Sequence, residues 1–151
     1  MEETEAKPAR GGVIREYVSQ DFWDVSFLNQ VSYLNPEPDE VLRGKIQAGK
    51  VWVFDDGQVL GSIIVCPDLD KLWIWSLTVA RAYQNCGWGN RLMQAAEDFY
   101  QGQTLWLHTS PTGPAFHLYT KRGFRTSQYL KNFYGKGMDA VEMYKALRPV
   151  A

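Results

Sequence analysis

At 151 residues, with 45% apolar and 22% charged side chains, the chain has the size and composition of one globular domain able to bury a sizeable core. Its formal net charge of −1 leaves no basic surplus to hold nucleic acid, and no apolar run reaches membrane-span length, so neither nucleic acid nor membrane is expected as a partner. Two cysteines, Cys66 and Cys86, are too few for a disulfide framework and lack metal-ligand spacing; no metal is expected and both read as free thiols.

Residues 1–12 are polar, with Pro8 and Gly11-Gly12, and are expected to form a disordered tail before a single domain over 13–151. The acidic start has no apolar signal region, which makes the cytoplasm the expected compartment. Val13 to Val18 alternates as a first strand. Ser19 or Asp21 is placed to cap a helix from about Phe22 to Tyr33, with Phe27, Leu28 and Val31 on one face. Leu34-Asn35-Pro36-Glu37-Pro38 stops it, and Asp39 is placed to cap a second helix, Glu40 to Ala48, ended by Gly49. Lys50 to Phe54 and Val59 to Val65 read as strands around an Asp55-Asp56-Gly57-Gln58 hairpin turn. Pro67 to Asp70 reads as another turn. Leu72 to Val79 is apolar on both faces, as suits a central strand covered on both sides.

After that strand come a polar turn, Gln84-Asn85-Cys86-Gly87-Trp88-Gly89, and a helical segment with Leu92, Ala96 and Phe99 at i, i+4 and i+7. Leu105 to Thr109 is a short strand, and Pro114 opens a helix ending near Arg122-Gly123. An extended stretch from Phe124 to about Phe133 and a last strand from Ala140 to Leu147 complete the order β-α-α-β-β-β-α-β-α-β-β. This predicts an α/β fold with a central mixed sheet flanked by helices.

Strand, glycine turn and helix together can hold an anion. The first helical turn has N–H groups without intrahelical partners, the macrodipole makes that end positive, and Gly87 and Gly89 leave the backbone bare. A dinucleotide fingerprint would need a third glycine where Leu92 stands, and a triphosphate loop would need lysine after Gly89, where the sequence has Asn90. What remains, Gln84-x-x-Gly87-x-Gly89, resembles the acyl-CoA pyrophosphate motif of the GNAT N-acetyltransferases. Ala115 to Phe124 resembles the "A…LY…GF" element of the same family. Lys131-Asn132-Phe133-Tyr134, with Asp139-Ala140 beyond, resembles the protein N-terminal acetyltransferases, including the ribosomal-protein alanine type. The likeness runs from about Leu72 to Leu147; earlier residues match only in element order.

The resemblance implies a GNAT-like fold and acetyl-CoA as co-substrate. By that resemblance acetyl-CoA would lie along Leu77, Thr78 and Val79, with its pyrophosphate on the turn formed by Gln84, Asn85, Cys86, Gly87, Trp88, Gly89 and Asn90. A backbone N–H near Leu77 would donate to the thioester oxygen, a contact worth about 3 kcal/mol. Thr112 stands where the family's asparagine touches the cofactor, and the loop from His108 to Tyr119 is one residue shorter than usual. Asn85 and Cys86 replace the family's usual arginines in the pyrophosphate turn.

The resemblance also implies an acceptor amine that must be neutral to attack. An α-amine, with a pKa about 7.7–8.0, is roughly a tenth neutral at pH 7, whereas a lysine at about 10.4 needs roughly 4.6 kcal/mol to lose its proton. The glutamate used by many relatives falls here at Trp73, which cannot serve. The matching position on the following strand is His108, whose residue type is mostly neutral at pH 7, and His108 is the expected base. Tyr119 matches the family's general acid. Tyr33, Trp73, Phe133 and Tyr134 are expected around the substrate, and Glu37, Asp39 and Glu40 can draw in an amine cation. The expected function is acetyl transfer to a protein or peptide N-terminus by direct attack in a ternary complex, by a monomer or homodimer. Two alternatives stay open. One is a small-amine acetyltransferase acting on a polyamine, amino acid or aminoglycoside. The other is a non-catalytic CoA-binding module, suggested by Trp73 and Thr112.

Overall fold

In the computed structural model, which describes residues 11–149, the elements follow the expected order. They are β1 (Val13–Glu16), α1 (Phe22–Ser32), α2 (Asp39–Ala48), β2 (Lys50–Asp55), β3 (Val59–Asp68), β4 (Lys71–Val79), α3 (Trp88–Phe99), β5 (Thr104–Thr109), α4 (Pro114–Lys121), β6 (Arg125–Gly135) and β7 (Met138–Ala146). Apart from Gly11 and Gly12, the expected disordered tail lies outside the described residues. Among the described residues, no helix is long and apolar enough to cross a membrane.

The residues fall into two compact units, one running to Pro67 and taking up again at Ile74–Phe99, the other holding Asp68–Trp73 and the chain from Tyr100 onward. In the first unit the strand order is β1-β2-β3-β4; in the second, the opening residues of β4 begin the order β4-β5-β7-β6. β1, β2 and β3 pair antiparallel, β4 pairs parallel with β5 through Leu72↔Leu105 and Trp73↔Trp106, and β7 pairs antiparallel with both β5 and β6. The seven strands with their helices form the mixed α/β architecture predicted from sequence.

In the first unit α1 and α2 bury Phe22, Val25, Leu28 and Leu42 against Val51, Val53, Val59, Ile64 and Cys66. On the other side of β2, Phe54 stacks on Trp88 of α3 with ring centroids 3.9 Å apart. Removing such side chains from water is the main stabilising term, about 25 cal/mol for each Å² of apolar surface. Burial also pushes the Cys66 thiol up to about 11, so it stays protonated, donating to the Lys45 carbonyl at 3.1 Å. In the second unit the buried apolar residues include Leu105 and Leu107 of β5, Val141 and Met143 of β7, and Tyr119 and Phe124.

Several local expectations are corrected. On α1, Phe27 and Val31 are 65% and 62% exposed; the core face is Phe22, Val25, Leu28 and Asn29. Phe99 of α3 is likewise 53% exposed, while Leu92, Met93 and Ala96 are buried. Asp21 does not cap α1: its carboxylate turns back to accept from Arg15 at 2.8 and 2.9 Å and from the Val18 N–H at 2.9 Å. Asp39 is the first residue of α2 rather than its cap, and accepts from the Ser26 hydroxyl at 2.7 Å. Gly49 does end α2, with extended rather than left-handed backbone. Glycine is required there because a Cβ would lie 2.0 Å from the Val65 carbonyl oxygen. β3 is the thoroughly buried strand, whereas β4 alternates, burying Ile74, Ser76 and Thr78 and leaving Trp73, Trp75 and Leu77 half-buried.

Candidate active site

In the first unit, β4 delivers the chain to the glycine turn. The Ser76 and Thr78 side chains point inward and are satisfied there: Ser62 and Thr78 hydroxyls lie 3.0 Å apart, and Ser76 donates to Asn29 Oδ1 at 2.8 Å. The strand therefore has its backbone, rather than these side chains, to offer a ligand. The Gln84 amide donates to the Val79 carbonyl at 2.9 Å, tying the turn to the strand end. Asn85 and Gly87 take positive φ, 62° and 92°, and bring the chain into the first turn of α3. Asparagine tolerates that conformation and glycine adopts it without strain. Gln84, Asn85, Cys86, Gly87 and Asn90 are exposed and Gly89 half-buried, while the Trp88 ring is buried against Phe54 with Arg91 over it at 4.4 Å. Trp88 thus has only its backbone to give to an anion. The turn keeps the features that suit a phosphate: bare backbone, helix N-terminus and N–H groups at the positive end of the dipole.

Tyr33 follows α1 and its hydroxyl reaches β4. It lies 3.2 Å from Ser76 Oγ, accepts the Leu77 N–H at 3.3 Å and approaches the Leu77 carbonyl at 3.4 Å. Tyr33 is 42% exposed as a residue, but burial around its phenol raises the pKa above the ordinary value, against the lowering pull of the Ser76 and Leu77 hydrogen bonds. The structure thus joins an expected substrate residue to the expected thioester donor.

In the second unit, His108 of β5 sits in an aromatic wall, its ring centroid 4.8 Å from Trp73 and 4.6 Å from Phe133; Phe133 in turn meets Tyr134 at 5.1 Å. Three strands and a wide separation in sequence are brought together here. Across the β5–β7 ladder His108 is paired with Glu142, and Nε2 lies 3.2 Å from Glu142 Oε1. Ser127 of β6 donates to the other carboxylate oxygen at 2.7 Å. Burial alone would raise the Glu142 carboxyl, but hydrogen bonds from Ser127, His108 and Gln128 outweigh it and hold the carboxyl below its ordinary pKa. Sequence reasoning missed Glu142 and Ser127. Glu142 stands two residues beyond Asp139-Ala140, yet only the strand register reveals its partner.

The β6–β7 hairpin is held by Asp139, whose carboxylate accepts the Asn132 N–H at 2.8 Å and the Tyr129 hydroxyl. Asn132, at φ 57°, accepts the Gly137 N–H at 2.7 Å. These bonds, the Asn132 contact first, hold the Asp139 carboxyl below its ordinary pKa. They also fix the chain just before Phe133 and Tyr134, which remain 48% and 44% exposed. Tyr119 is buried on α4 beside Phe124, with ring centroids 5.7 Å apart. Thr112 lies exposed in the loop before α4, its hydroxyl 3.2 Å from that of Ser110.

The glycine turn of the first unit can bind an anion at a helix start; in the second unit the His108 imidazole can accept a proton. Known proteins resemble the chain in sequence and in fold. The [ribosomal protein bS18]-alanine N-acetyltransferase of Haemophilus influenzae is 32% identical over 89 residues, 56% of this chain and 60% of that protein. The match therefore spans less than two thirds of that relative's length. The crystal structure of the ribosomal-protein-S18-alanine N-acetyltransferase from Escherichia coli matches with a TM-score of 0.82 at 20% identity, covering 93% of this chain and 96% of that one. Arabidopsis thaliana Naa50, in complex with the bisubstrate analogue CoA-Ac-MVNAL, matches with a TM-score of 0.81 at 18% identity, over 91% and 100% of the two chains. These structural likenesses show the fold. Residues 16–124, most of the chain, match the sequence pattern of the acetyltransferase (GNAT) family. The chain belongs to the acetyltransferase (GNAT) family, a family of acyltransferases.

Proposed function

We propose that this chain is an acetyl-CoA-dependent N-acetyltransferase whose acceptor is the α-amine of a protein or peptide N-terminus. The observation that carries the reading is the wall of Trp73, His108, Phe133 and Tyr134, in which an imidazole stands between a half-buried indole and the exposed rings of Phe133 and Tyr134 on strand and hairpin backbone. Rings and extended backbone suit a peptide better than a small polycation. The peptide-bearing CoA analogue in the name of the Naa50 structure supports the same reading.

In this mechanism the amine nitrogen attacks the thioester carbonyl carbon, forming a C–N bond, and its proton passes to His108, directly or through water. The Leu77 N–H donates to the carbonyl oxygen as charge builds on it. The C–S bond then breaks, and the departing thiolate takes a proton from Tyr119. The turn from Gln84 to Asn90 holds the pyrophosphate by its backbone; Thr78 and Val79 line the pantetheine arm by theirs. An α-amine needs little help to become neutral, so a single imidazole suffices. Newly made N-termini would put the reaction in the cytoplasm.

The small-amine reading draws on the carboxylates of Glu37, Asp39 and Glu40, but Asp39 is already engaged by Ser26. A thiol-release assay over N-terminal peptides, polyamines, amino acids and aminoglycosides tests the proposal. Turnover with peptides alone supports it. Turnover with a small amine alone replaces the acceptor, and acetyl-CoA binding without turnover favours a binding module.

A further inference from the structure

We propose that Glu142 is a positioning residue for His108: its carboxylate keeps the proton of the neutral imidazole on Nε2 and leaves Nδ1 to take the proton of the amine. This rests on the reading of His108 as the base.

The two residues face one another across the β5–β7 ladder, so their side chains share a face of the sheet. Their contact is Nε2 to Oε1 at 3.2 Å. An ionised carboxylate only accepts, so Nε2 must be the donor; a neutral imidazole has one N–H, and the lone pair then lies on Nδ1. The carboxylate is itself fixed from the opposite strand. Thr126 pairs with Met143 and Gln128 with Glu142, which leaves Ser127 as the extra residue of a β-bulge. Bulges re-aim side chains, and this one points the Ser127 hydroxyl at Glu142 Oε2 (2.7 Å) and at the Glu142 carbonyl (3.3 Å). Burying a carboxylate is costly unless it is paired. Glu142 is 8% exposed and its donors come from both neighbouring strands. Trp73 and Phe133 pack against the ring, and the His108 side chain keeps 26% exposure.

The test is the ¹⁵N NMR spectrum of the imidazoles at a pH where the rings are neutral, read alongside steady-state kinetics with an N-terminal peptide. The chain has two histidines, so His108→Ala assigns the signals. The wild type is expected to show the Nε2–H form at His108. Glu142→Gln, whose amide donates as well as accepts, is expected to show a mixture, with kcat lowered about tenfold or more and KM for acetyl-CoA unchanged. Glu142→Asp is expected to regain part of the loss. Ser127→Ala, which leaves the carboxylate in place, is expected to show a smaller shift in the same direction; it decides the matter if Glu142→Gln fails to fold. An Nδ1–H form in the wild type overturns the proposal. So does a Glu142→Gln spectrum and kcat equal to the wild type's while His108→Ala is impaired. Wild-type turnover by His108→Ala removes the base itself, and the catalytic half of the proposal with it; the spectrum still tells whether Glu142 sets the tautomer.

Discussion

The backbone N–H of Leu77 donates to the hydroxyl of Tyr33 at 3.3 Å. The same N–H is the group proposed to receive the thioester oxygen, so the phenol and the cofactor compete for one donor. Tyr33→Phe removes the competitor. A net hydrogen bond is worth about 0.5–1.5 kcal/mol, so acetyl-CoA is expected to bind about two- to tenfold more tightly by calorimetry. An unchanged or weaker affinity would show that Tyr33 does not compete for that donor.

Arg15 and Asp21 form a bidentate pair beside a second contact from Arg15 to Asp55. The hydrogen bond from Arg15 is the largest influence on Asp21 and holds its carboxyl below the usual range, although burial opposes it. A depressed carboxyl stabilises the fold above its unfolded pKa, about 3.9, and loses that contribution as pH falls through the folded value. Asp21→Asn is therefore expected to cost about 1–2 kcal/mol at pH 7, with the difference from the wild type shrinking below about pH 4. Urea midpoints at the two pH values read this directly.

Two glycines near the end of α2 should respond in opposite ways. At Gly49 a Cβ would meet the Val65 carbonyl oxygen at 2.0 Å, so Gly49→Ala must move backbone and is expected to cost about 2–3 kcal/mol. Gly44 lies within the helix with open space where a Cβ would go. Gly44→Ala is expected to gain about 0.5–1 kcal/mol. Thermal or urea unfolding of the two variants is a direct check.

Asp139 holds Asn132 and Tyr129, and so the hairpin that carries Phe133 and Tyr134. Asp139→Ala is expected to raise KM for a peptide acceptor several-fold while leaving KM for acetyl-CoA as it was. A change confined to acetyl-CoA would contradict the peptide role of this hairpin.

Much of the architecture was legible because glycine and proline mark its joints. Gly57 and Gly123 take the positive φ their turns require, and Pro114 opens α4. The face of α1 was misread because apolar residues surround it almost completely; neighbouring β-strands, not periodicity, selected Val25 and Leu28 over Phe27 and Val31. Asp21 and Asp39 looked like helix caps, but Arg15 and Ser26 took their carboxylates. At the site, motif likeness pointed to His108, Phe133 and Tyr134. Glu142 was passed over because its meaning lies in being opposite His108, and register between strands that far apart is set by tertiary packing.

The most direct measurement is the mass of an unmodified N-terminal peptide after incubation with acetyl-CoA, with fragmentation to locate the added group, for the wild type and for His108→Ala. The account predicts one acetyl group on the α-amine, formed by the wild type and about 10²-fold or more slower in His108→Ala. A wild type that binds acetyl-CoA yet leaves every peptide α-amine unmodified would contradict it.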